Sequence, residues 1–320
     1  MSAEWKRLVE ESDVATWWQT EEAYRFFAGT QDFHADVLGV MTDERLMGLA
    51  VILRPQVKSG VLQWFSRRAL IMGGLLLSNS ISDEALTALL HAIHENTTDC
   101  IYTEIRDLHD FSRWRQVMET SGWEYQPHLN IRMDTTNAVQ AAERIGRHKR
   151  RRIDTTLRAG AQVVNHPTEE QLQDYYRLLR QLYKRRVRKP LPSWEFFRTL
   201  FHHPACRMVL AENEGRIIGG SVCIVWQGKA LYEWYACGRD DDKRIVSPAS
   251  LTKYAEIQIA GEEGIPMIDL MGAGRPDKPY GVRDFKAEFG GETVEHGRYI
   301  YVQKPILYTL GKAGMRICNL

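Results

Sequence analysis

The 320-residue chain lacks any uncharged apolar run that approaches about 18 residues, so the sequence shows no candidate membrane-spanning helix. Its first residues, MSAEWKRLVEESDVATWW, are charged throughout and lack the apolar core of a signal peptide. The formal net charge is only +1, from 42 Lys and Arg against 41 Asp and Glu, so no overall field identifies a polyanionic partner. From these absences we expect a soluble, cytoplasmic protein.

Cysteine is also sparse, and no two cysteines form a C-x-x-C pair, which argues against a disulfide framework and a structural zinc. The five cysteines are Cys100, Cys206, Cys223, Cys237 and Cys318. His91 and His94 lack a carboxylate or thiol partner at ligand spacing. We therefore predict reduced thiols and no metal site.

The chain contains an internal repeat at an offset of 171 residues. Residues 38–48 contain LGV and DERLMG, which resemble VLA and EGRIIG in residues 209–219. Each copy predicts a hairpin, then a third strand (61–65 and 230–236), a helix and a final strand. The repeated order β-β-β-α-β predicts a duplicated α/β unit.

Helix-start signals fill in the remaining elements. Ser82 precedes the helix of the first copy, and Ser247-Pro248 opens that of the second. Between the copies, residues 143–160 predict a basic helical connector, and 168–188 predict a helix that begins with a capping box. Ser193 starts a further helix rich in aromatic residues.

The segment 269–291, DLMGAGRPDKPYGVRDFKAEFGG, stands out because it is rich in glycine and cations and follows the predicted strand 267–271. Glycines let the backbone bend sharply and approach a ligand closely. In open α/β sheets, ligands usually bind outside the carboxyl ends of the strands. We therefore predict that this segment is a loop that belongs to a functional site.

These features together resemble the FemAB-type proteins, which are tandem GNAT-fold transferases. The resemblance covers nearly the whole chain and rests on the duplicated unit, the linker HKRRRIDTTLRAGAQV, the helical pair YYRLLRQLYKRRVRKPLPSWEFFRTLF and the segment FKAEFGG. It implies an α/β (α+β) fold with two GNAT-like domains, at 1–150 and 151–302, and a C-terminal helix at 303–320 that packs back on the first. The coiled-coil arm of some members is not expected, because no charged heptad segment is long enough.

The resemblance implies transfer of an aminoacyl or related acyl group to an amine acceptor. The best-studied members move an amino acid from aminoacyl-tRNA to the peptide stem of a peptidoglycan precursor. Such a reaction needs orientation of the substrates and stabilisation of an oxyanion, without a covalent enzyme intermediate. Consistent with this, the chain has no G-x-S-x-G elbow. We expect no bound cofactor, with aminoacyl-tRNA or acyl-CoA as co-substrate.

By the same resemblance, Lys286 matches a family lysine that supports the transition state, and Phe285 would exclude water beside it. The alternative is a surface lysine next to a core phenylalanine. Arg283 either neutralises a phosphate or pairs with a nearby acid, and Tyr280 brings an aromatic ring to the same segment. Arg186 lies where the family often has an arginine that contacts a diphosphate, or else it is a solvated helix end.

Two strands carry further candidates for substrate binding. Alternation places Glu233 and Tyr235 on one face of the strand 230–236. A glutamate on an apolar strand needs a partner, which is either a substrate amine or a core arginine. In the first copy, Tyr102 and Arg106 flank a glutamate in the same way and allow the same two interpretations.

The basic run 147–152 either meets tRNA phosphates or forms a solvated helix face. Its tRNA-binding candidates are Lys149, Arg150, Arg151 and Arg152. A family lysine expected in the first domain, a few residues after a glutamine such as Gln19, is replaced by Phe27, which argues against a nucleotide-linked acceptor.

Two other functions stay open: an acyl-CoA-dependent N-acyltransferase, and a non-catalytic module that binds tRNA or another partner. The CoA-binding turn of GNAT domains has the form Q/R-x-x-G-x-G/A. Residues 239–248 have no glycine and carry three acids, which would repel a pyrophosphate. Arg67-Arg68 followed by Gly73-Gly74 has a looser likeness to that turn.

Overall fold

The computed structural model of the chain describes residues 2–56, 67–239 and 246–318, with side chains to residue 312. The chain divides into two compact units, one formed by Met1–His128 with Glu295–Leu320 and the other by Leu129–Val294. Among the described residues each unit contains one seven-stranded mixed sheet with helices packed on it. The predicted fold class, two α/β units with a repeated element order, is confirmed.

The strands are numbered along the described chain. They are β1 (Phe33–Thr42), β2 (Arg45–Pro55), β3 (Arg68–Gly73), β4 (Leu76–Leu77), β5 (Tyr102–Asp107), β6 (Glu124–Gln126), β7 (Leu129–Asp134), β8 (Gln162–Val164), β9 (Cys206–Asn213), β10 (Arg216–Trp226), β11 (Ala230–Gly238), β12 (Met267–Gly272), β13 (Glu292–Glu295) and β14 (Arg298–Val302).

The helices are numbered in the same way. They are α1 (Ser2–Glu11), α2 (Glu21–Ala28), α3 (Asp83–Asn96), α4 (Arg115–Thr120), α5 (Ala138–Glu143), α6 (Arg147–Arg158), α7 (Glu169–Leu182), α8 (Trp194–Phe201), α9 (Pro248–Glu262), α10 (Gly281–Ala287) and α11 (Pro305–Cys318). Short 3-10 turns span Trp17–Gln19 and Ser112–Trp114, and a π-helical turn, Tyr183–Val187, follows α7.

The sheet of the first unit has the order β1-β2-β3-β5-β14-β6, with β4 paired beside β2. Ser82 caps α3 by accepting a hydrogen bond from the amide of Ala85, as its position in the sequence predicted. The apolar face of α3 packs on the sheet and is fully buried. The predicted strand 61–65 lies outside the described residues, and β3 stands third along the described part of this unit.

The sheet of the second unit has the order β13-β7-β12-β11-β10-β9-β8. The predicted hairpin, third strand, helix and final strand are confirmed as β9, β10, β11, α9 and β12. Thr168 and Gln171 form the predicted capping box at the start of α7, and Ser193 caps α8. These local signals were sufficient to predict where the helices begin, because each cap satisfies amides within the first turn of its own helix.

Two strands lie in a different unit from the one that the sequence predicted. β7, from the predicted first domain, pairs with β12, and β14, from the predicted second domain, pairs with β5. The units therefore exchange these strands and divide after His128 and after Val294, which differs from the predicted bounds 1–150 and 151–302. In α11, the ring of Tyr308 lies 5.3 Å from that of Tyr102 on β5.

None of the helices in the described part of the chain combines the length and the apolar character needed to cross a membrane.

Candidate functional site

The site is built where two parallel strands of the second unit separate. β11 and β12 pair through Leu231 with Ile268 and through Tyr232 with Asp269, and among the described residues their pairing ends there. In the first unit the corresponding strands, β3 and β5, stay paired over six positions, from Arg68 with Tyr102 onward. The second sheet therefore has an opening at this point that the first sheet lacks.

Lys286 reaches into this opening from the short helix α10. Its side chain is buried, and its Nζ atom donates hydrogen bonds to the carbonyl oxygen of Leu270 and, at 3.4 Å, to that of Gly272. The same atom lies 3.4 Å from Oε1 of Glu233 on β11. Lys286 thus bridges the two separating strands, and its burial excludes the alternative of a surface lysine.

The helix that carries Lys286 corrects one prediction. The segment 269–291 was predicted to be a loop, but Gly281–Ala287 is helical. The turn before the helix is held by the guanidinium group of Arg283, which donates to the carbonyl oxygens of Arg275 and Lys278 at 2.8 and 2.9 Å. Glycine and proline punctuate this stretch, which hid a helix of only seven residues.

Glu233 carries the second charge of the site. It is buried, and its partners are lysines, not the core arginine that the sequence left open: Lys286 at Oε1, and Lys253 of α9 at Oε2. Lys253 in turn lies 3.0 Å from Oε1 of Glu256, one turn further along α9. Charged groups alternate in sign along this buried row.

A third carboxylate, Asp269, fixes the strand below Lys286. It is fully buried and accepts hydrogen bonds from Asn130 at 3.2 Å, from Arg132 at 3.2 Å and from the amide of Met271 at 2.6 Å. Met271 has a φ of 55°, a left-handed conformation that costs roughly 1–2 kcal/mol for such a residue. Asp269 stabilises this strained turn, which aims the carbonyl groups of β12 at Lys286.

The surroundings shift the pKa values of Lys286 and Asp269. Burial lowers the pKa of Lys286 below its usual value, and attraction to Asp269, Tyr280 and Glu256 opposes that shift. Burial raises the pKa of Asp269, while the neighbouring Arg132 opposes the change. A buried lysine with a lowered pKa, close to an opening in a sheet, is typical of a functional site.

Phe285 lies beside Lys286 on α10 and packs partly into the core of this unit. Its ring is 5.3 Å from that of Phe289, and Nζ of Lys149 lies 4.2 Å from its centroid. Lys149 also pairs with Glu288 at 3.3 Å. Lys149, a predicted tRNA contact, is therefore largely buried against the helix that carries Lys286.

Tyr235 lies on the other face of β11 from Glu233, which makes the predicted shared face wrong. The partner of Tyr235 on β10 is Val222 and that of Glu233 is Cys223, so a β-bulge leaves Trp234 as the extra residue. The ring of Tyr235 is 4.9 Å from that of Phe197 on α8. The bulge, which has no local signal in the sequence, sends the two side chains in opposite directions.

The other predicted residues of the second unit are exposed or partly exposed. Tyr280 begins α10 and is exposed, with its ring against Gly274. Arg186 is exposed in the π-helical turn after α7. Arg150 and Arg151 are exposed on α6, and Arg152 is partly exposed there.

In the first unit β5, the counterpart of β12, carries a buried glutamate with different partners. Tyr102 and Arg106 share a face of β5 with Glu104, whose carboxylate pairs with Arg106 at 2.9 Å and with Arg298 at 2.6 Å. Burial alone would raise the pKa of Glu104, but the two arginines lower it below its usual value. Glu104 therefore forms structural ion pairs with arginines, which was one of the two interpretations of this strand. Elsewhere in the first unit, Phe27 lies buried among aromatic rings.

The glycine pair of the first unit does not form a strand-to-helix turn. Gly73 ends β3 and Gly74 follows it, before β4, and Gln19 donates to both of their carbonyl oxygens. A Cβ atom on Gly73 would lie 2.1 Å from Oγ1 of Thr16. The glycines are therefore explained by close packing. In the second unit, residues 240–245 of the segment 239–248 lie outside the described residues.

Sequence reasoning missed Lys253, Glu256, Asp269 and Arg132. Lys253 and Glu256 are three residues apart on a helix, a spacing that usually marks an exposed ion pair. The available signal was the sequence of the whole helix α9, PASLTKYAEIQIAGE, which is too apolar around its circumference for a surface helix.

The comparisons with known proteins agree with this architecture. Residues 144–286 match the family model described as "Acetyltransferase (GNAT) domain". No curated protein sequence matches the chain. FemX is similar in structure, with a TM-score of 0.70 at 15% identity over 97% of this chain and 98% of that chain.

Two further solved structures share the fold. The C-terminal DUF2156 domain of a protein described as a lysylphosphatidylglycerol synthetase, from Agrobacterium fabrum, gives a TM-score of 0.57 at 13% identity, covering 94% of this chain and 91% of that one. A tandem GNAT protein from the clavulanic acid biosynthesis pathway gives 0.58 at 10% identity, covering 88% and 86%.

The fold and the site together define a class: the chain is a tandem GNAT-fold protein. Its architecture is FemAB-like, which confirms the resemblance in fold. Its second unit contains the matched GNAT domain, which is of the acyltransferase type.

Proposed function

We propose that the chain transfers an aminoacyl group from aminoacyl-tRNA to an amine acceptor, with Lys286 as the catalytic residue. The observation that carries this proposal is the position of the Lys286 ammonium group, buried where β11 and β12 separate. A cation held in a site of low dielectric stabilises negative charge far better than one in water.

The chemistry follows from this position. The acceptor amine attacks the carbonyl carbon of the ester, a C–N bond forms, and the tetrahedral intermediate carries an oxyanion. Two of the contacts of Lys286, to Gly272 and Glu233, are at 3.4 Å, near the long limit of hydrogen bonding. An oxyanion can replace one of them. The C–O bond to the tRNA then breaks, and its hydroxyl oxygen takes the proton that the amine releases.

The acceptor is proposed from the relatives. FemX and FemAB-type proteins support an amine on a cell-wall peptide precursor, and the name lysylphosphatidylglycerol synthetase supports aminoacyl transfer by a related fold. With Phe27 buried at the position expected for a cation, we propose an acceptor that is recognised through its peptide and not through a nucleotide. Transfer from tRNA would place the protein in the cytoplasm.

A second candidate, transfer from acyl-CoA, is favoured by the matched domain, which is described as an acetyltransferase. Its weakness is the segment 239–248, which has no glycine and three acids to face a pyrophosphate.

One experiment separates these donors from each other and from a binding module. The pure protein is incubated with pools of charged tRNA or of acyl-CoA, and deacylation that depends on an added amine acceptor is measured. Aminoacyl-tRNA consumption that requires the acceptor supports the proposal. Consumption of acyl-CoA alone overturns it, and no consumption of either leaves the binding module as the better account.

A further inference from the structure

We propose that Lys253 and Glu256 of α9 are positioning residues that control the charge of Lys286 through Glu233. This inference rests on the proposed catalytic role of Lys286. It concerns two residues that the sequence did not single out and that lie one turn apart on a helix, behind the strand that carries Glu233.

The four groups form a single row of contacts. Lys286 meets Oε1 of Glu233, Lys253 meets Oε2 of the same carboxylate, and Oε1 of Glu256 lies 3.0 Å from Lys253. The side chains of Lys253 and Glu256 are 3% and 1% exposed. Oε2 of Glu256 has no hydrogen-bond partner among the described residues, so this end of the row depends on Lys253 alone.

The row contains two ammonium groups and two carboxylates, so its formal charges cancel. Because water is excluded, a change in any member acts strongly on the others. The further charged or titratable groups that face Lys286 are Asp269 on β12, Tyr280 before α10 and, beside Asp269, Arg132 on β7. Among the described residues, no hydrogen bond or ion pair joins any of these three groups to Lys253 or Glu256, so the row can be altered without removing their polar contacts.

Removal of the positive charge of Lys253 and removal of the negative charge of Glu256 are expected to have opposite effects on how tightly Lys286 holds its proton. In Lys253→Met, Glu233 keeps Lys286 as its one cation and a like charge is lost, so Lys286 holds its proton more tightly. In Glu256→Gln, a carboxylate that attracts the proton of Lys286 is lost and Lys253 acts fully on Glu233. Lys286 then releases its proton at lower pH.

The test uses two readouts on the full chain. The first is the pH profile of kcat/KM for transfer, whose alkaline limb reports loss of the Lys286 proton. We expect Lys253→Met to move this limb upward and Glu256→Gln to move it downward, each by about one pH unit. A purely structural role would lower activity or stability without moving the limb in opposite directions.

The second readout does not depend on activity. The ¹³Cε resonance of Lys286, assigned by its loss in Lys286→Met, is titrated by NMR in the wild type and in both variants. The same opposite shifts are expected without any substrate. If transfer is not found but the resonance shifts as stated, the proposed function fails, whereas the inference that Lys253 and Glu256 control the charge of Lys286 is supported.

A third variant tests whether misfolding explains the effects of the two single variants. Lys253→Met alone leaves two buried carboxylates with one ammonium group, whereas Lys253→Met with Glu256→Gln removes one charge of each sign and keeps the row neutral. The double variant is expected to titrate close to the wild type. Shifts of both single variants in the same direction, or no shift in either, would overturn the inference.

Discussion

The Nζ atom of Lys286 lies 3.4 Å from Oε1 of Glu233, and this contact joins α10 to β11 at the point where β11 leaves β12. In the first unit, Glu104 on β5 is matched instead with two arginines, and the strands around it stay paired. Each sheet therefore contains a buried glutamate, Glu233 on β11 and Glu104 on β5, but among the described residues only the second sheet has a lysine beside an opening between its strands.

The two glutamates offer a matched comparison. Glu233→Gln removes the carboxylate between Lys253 and Lys286, and Glu104→Gln removes the one between Arg106 and Arg298. Each change removes a buried carboxylate from between two buried or partly buried cations, so we expect each to lower the free energy of unfolding by about 3 kcal/mol. Urea denaturation measures this loss.

Activity separates the same two variants. Under conditions where both are folded, Glu233→Gln is expected to change the rate and pH profile of transfer, because it alters the charge around Lys286. Glu104→Gln is expected to keep the wild-type pH profile. An equal effect of both on the profile would show that the buried glutamate of the second unit has no special link to the reaction.

Asp107, at the end of β5, predicts a pH dependence of stability. It is buried, and neither carboxylate oxygen has a hydrogen-bond partner among the described residues. Burial raises the pKa of Asp107 well above its usual value, although Arg298 opposes the shift. The native state thus keeps a proton that the unfolded chain loses near pH 4, so this group destabilises the fold increasingly as the pH rises.

Asp107→Asn stays neutral and removes that penalty. Its stability advantage over the wild type is expected to grow with pH, by up to about 1.4 kcal/mol per pH unit between the unfolded and folded pKa values. Denaturation curves at pH 5 and pH 7 measure the difference. An advantage that does not change with pH would mean that Asp107 is ionised in the folded protein.

The exposed arginines of α6 test the proposed contact with tRNA. The double variant Arg150→Glu with Arg151→Glu is expected to weaken tRNA binding and to reduce the slope of log K against log salt by roughly 1 to 2. Arg177→Glu with Arg180→Glu on α7 makes the same charge change on another exposed helix face and is the control. Equal losses in both would point to net charge, not to a tRNA site on α6.

Lys149 is left out of that variant because its side chain contacts Phe285 and Glu288. A change at Lys149 would disturb α10 as well as the basic face. The basic run of the sequence therefore divides between an exposed face and a residue that packs on α10, the helix that carries Lys286.

Local signals in the sequence predicted much of the fold. Ser82, Thr168 with Gln171, and Ser193 each satisfy amides in the first turn of their own helix, so their effect can be read without knowing the rest of the chain. The repeated hairpins at an offset of 171 residues likewise predicted two units.

Long-range pairing could not be predicted in this way. The exchange of β7 and β14 depends on which distant strand each one meets, and the bulge at Trp234 depends on the register with β10. Lys253 and Glu256 have the spacing of an exposed ion pair, and only the packing of α9 buries them. The sequence proposed Lys286 through resemblance, but its partners needed the structure.

The most direct test of the account is the single-turnover rate of aminoacyl transfer in Lys286→Met, compared with the wild type and with Arg283→Met as a neighbouring control. Loss of the cation that we propose stabilises the oxyanion is expected to slow transfer by roughly 100-fold to 1000-fold. Arg283, which donates to backbone carbonyl groups of the preceding turn, is expected to affect the rate far less. A folded Lys286→Met variant that transfers at the wild-type rate would contradict the central claim.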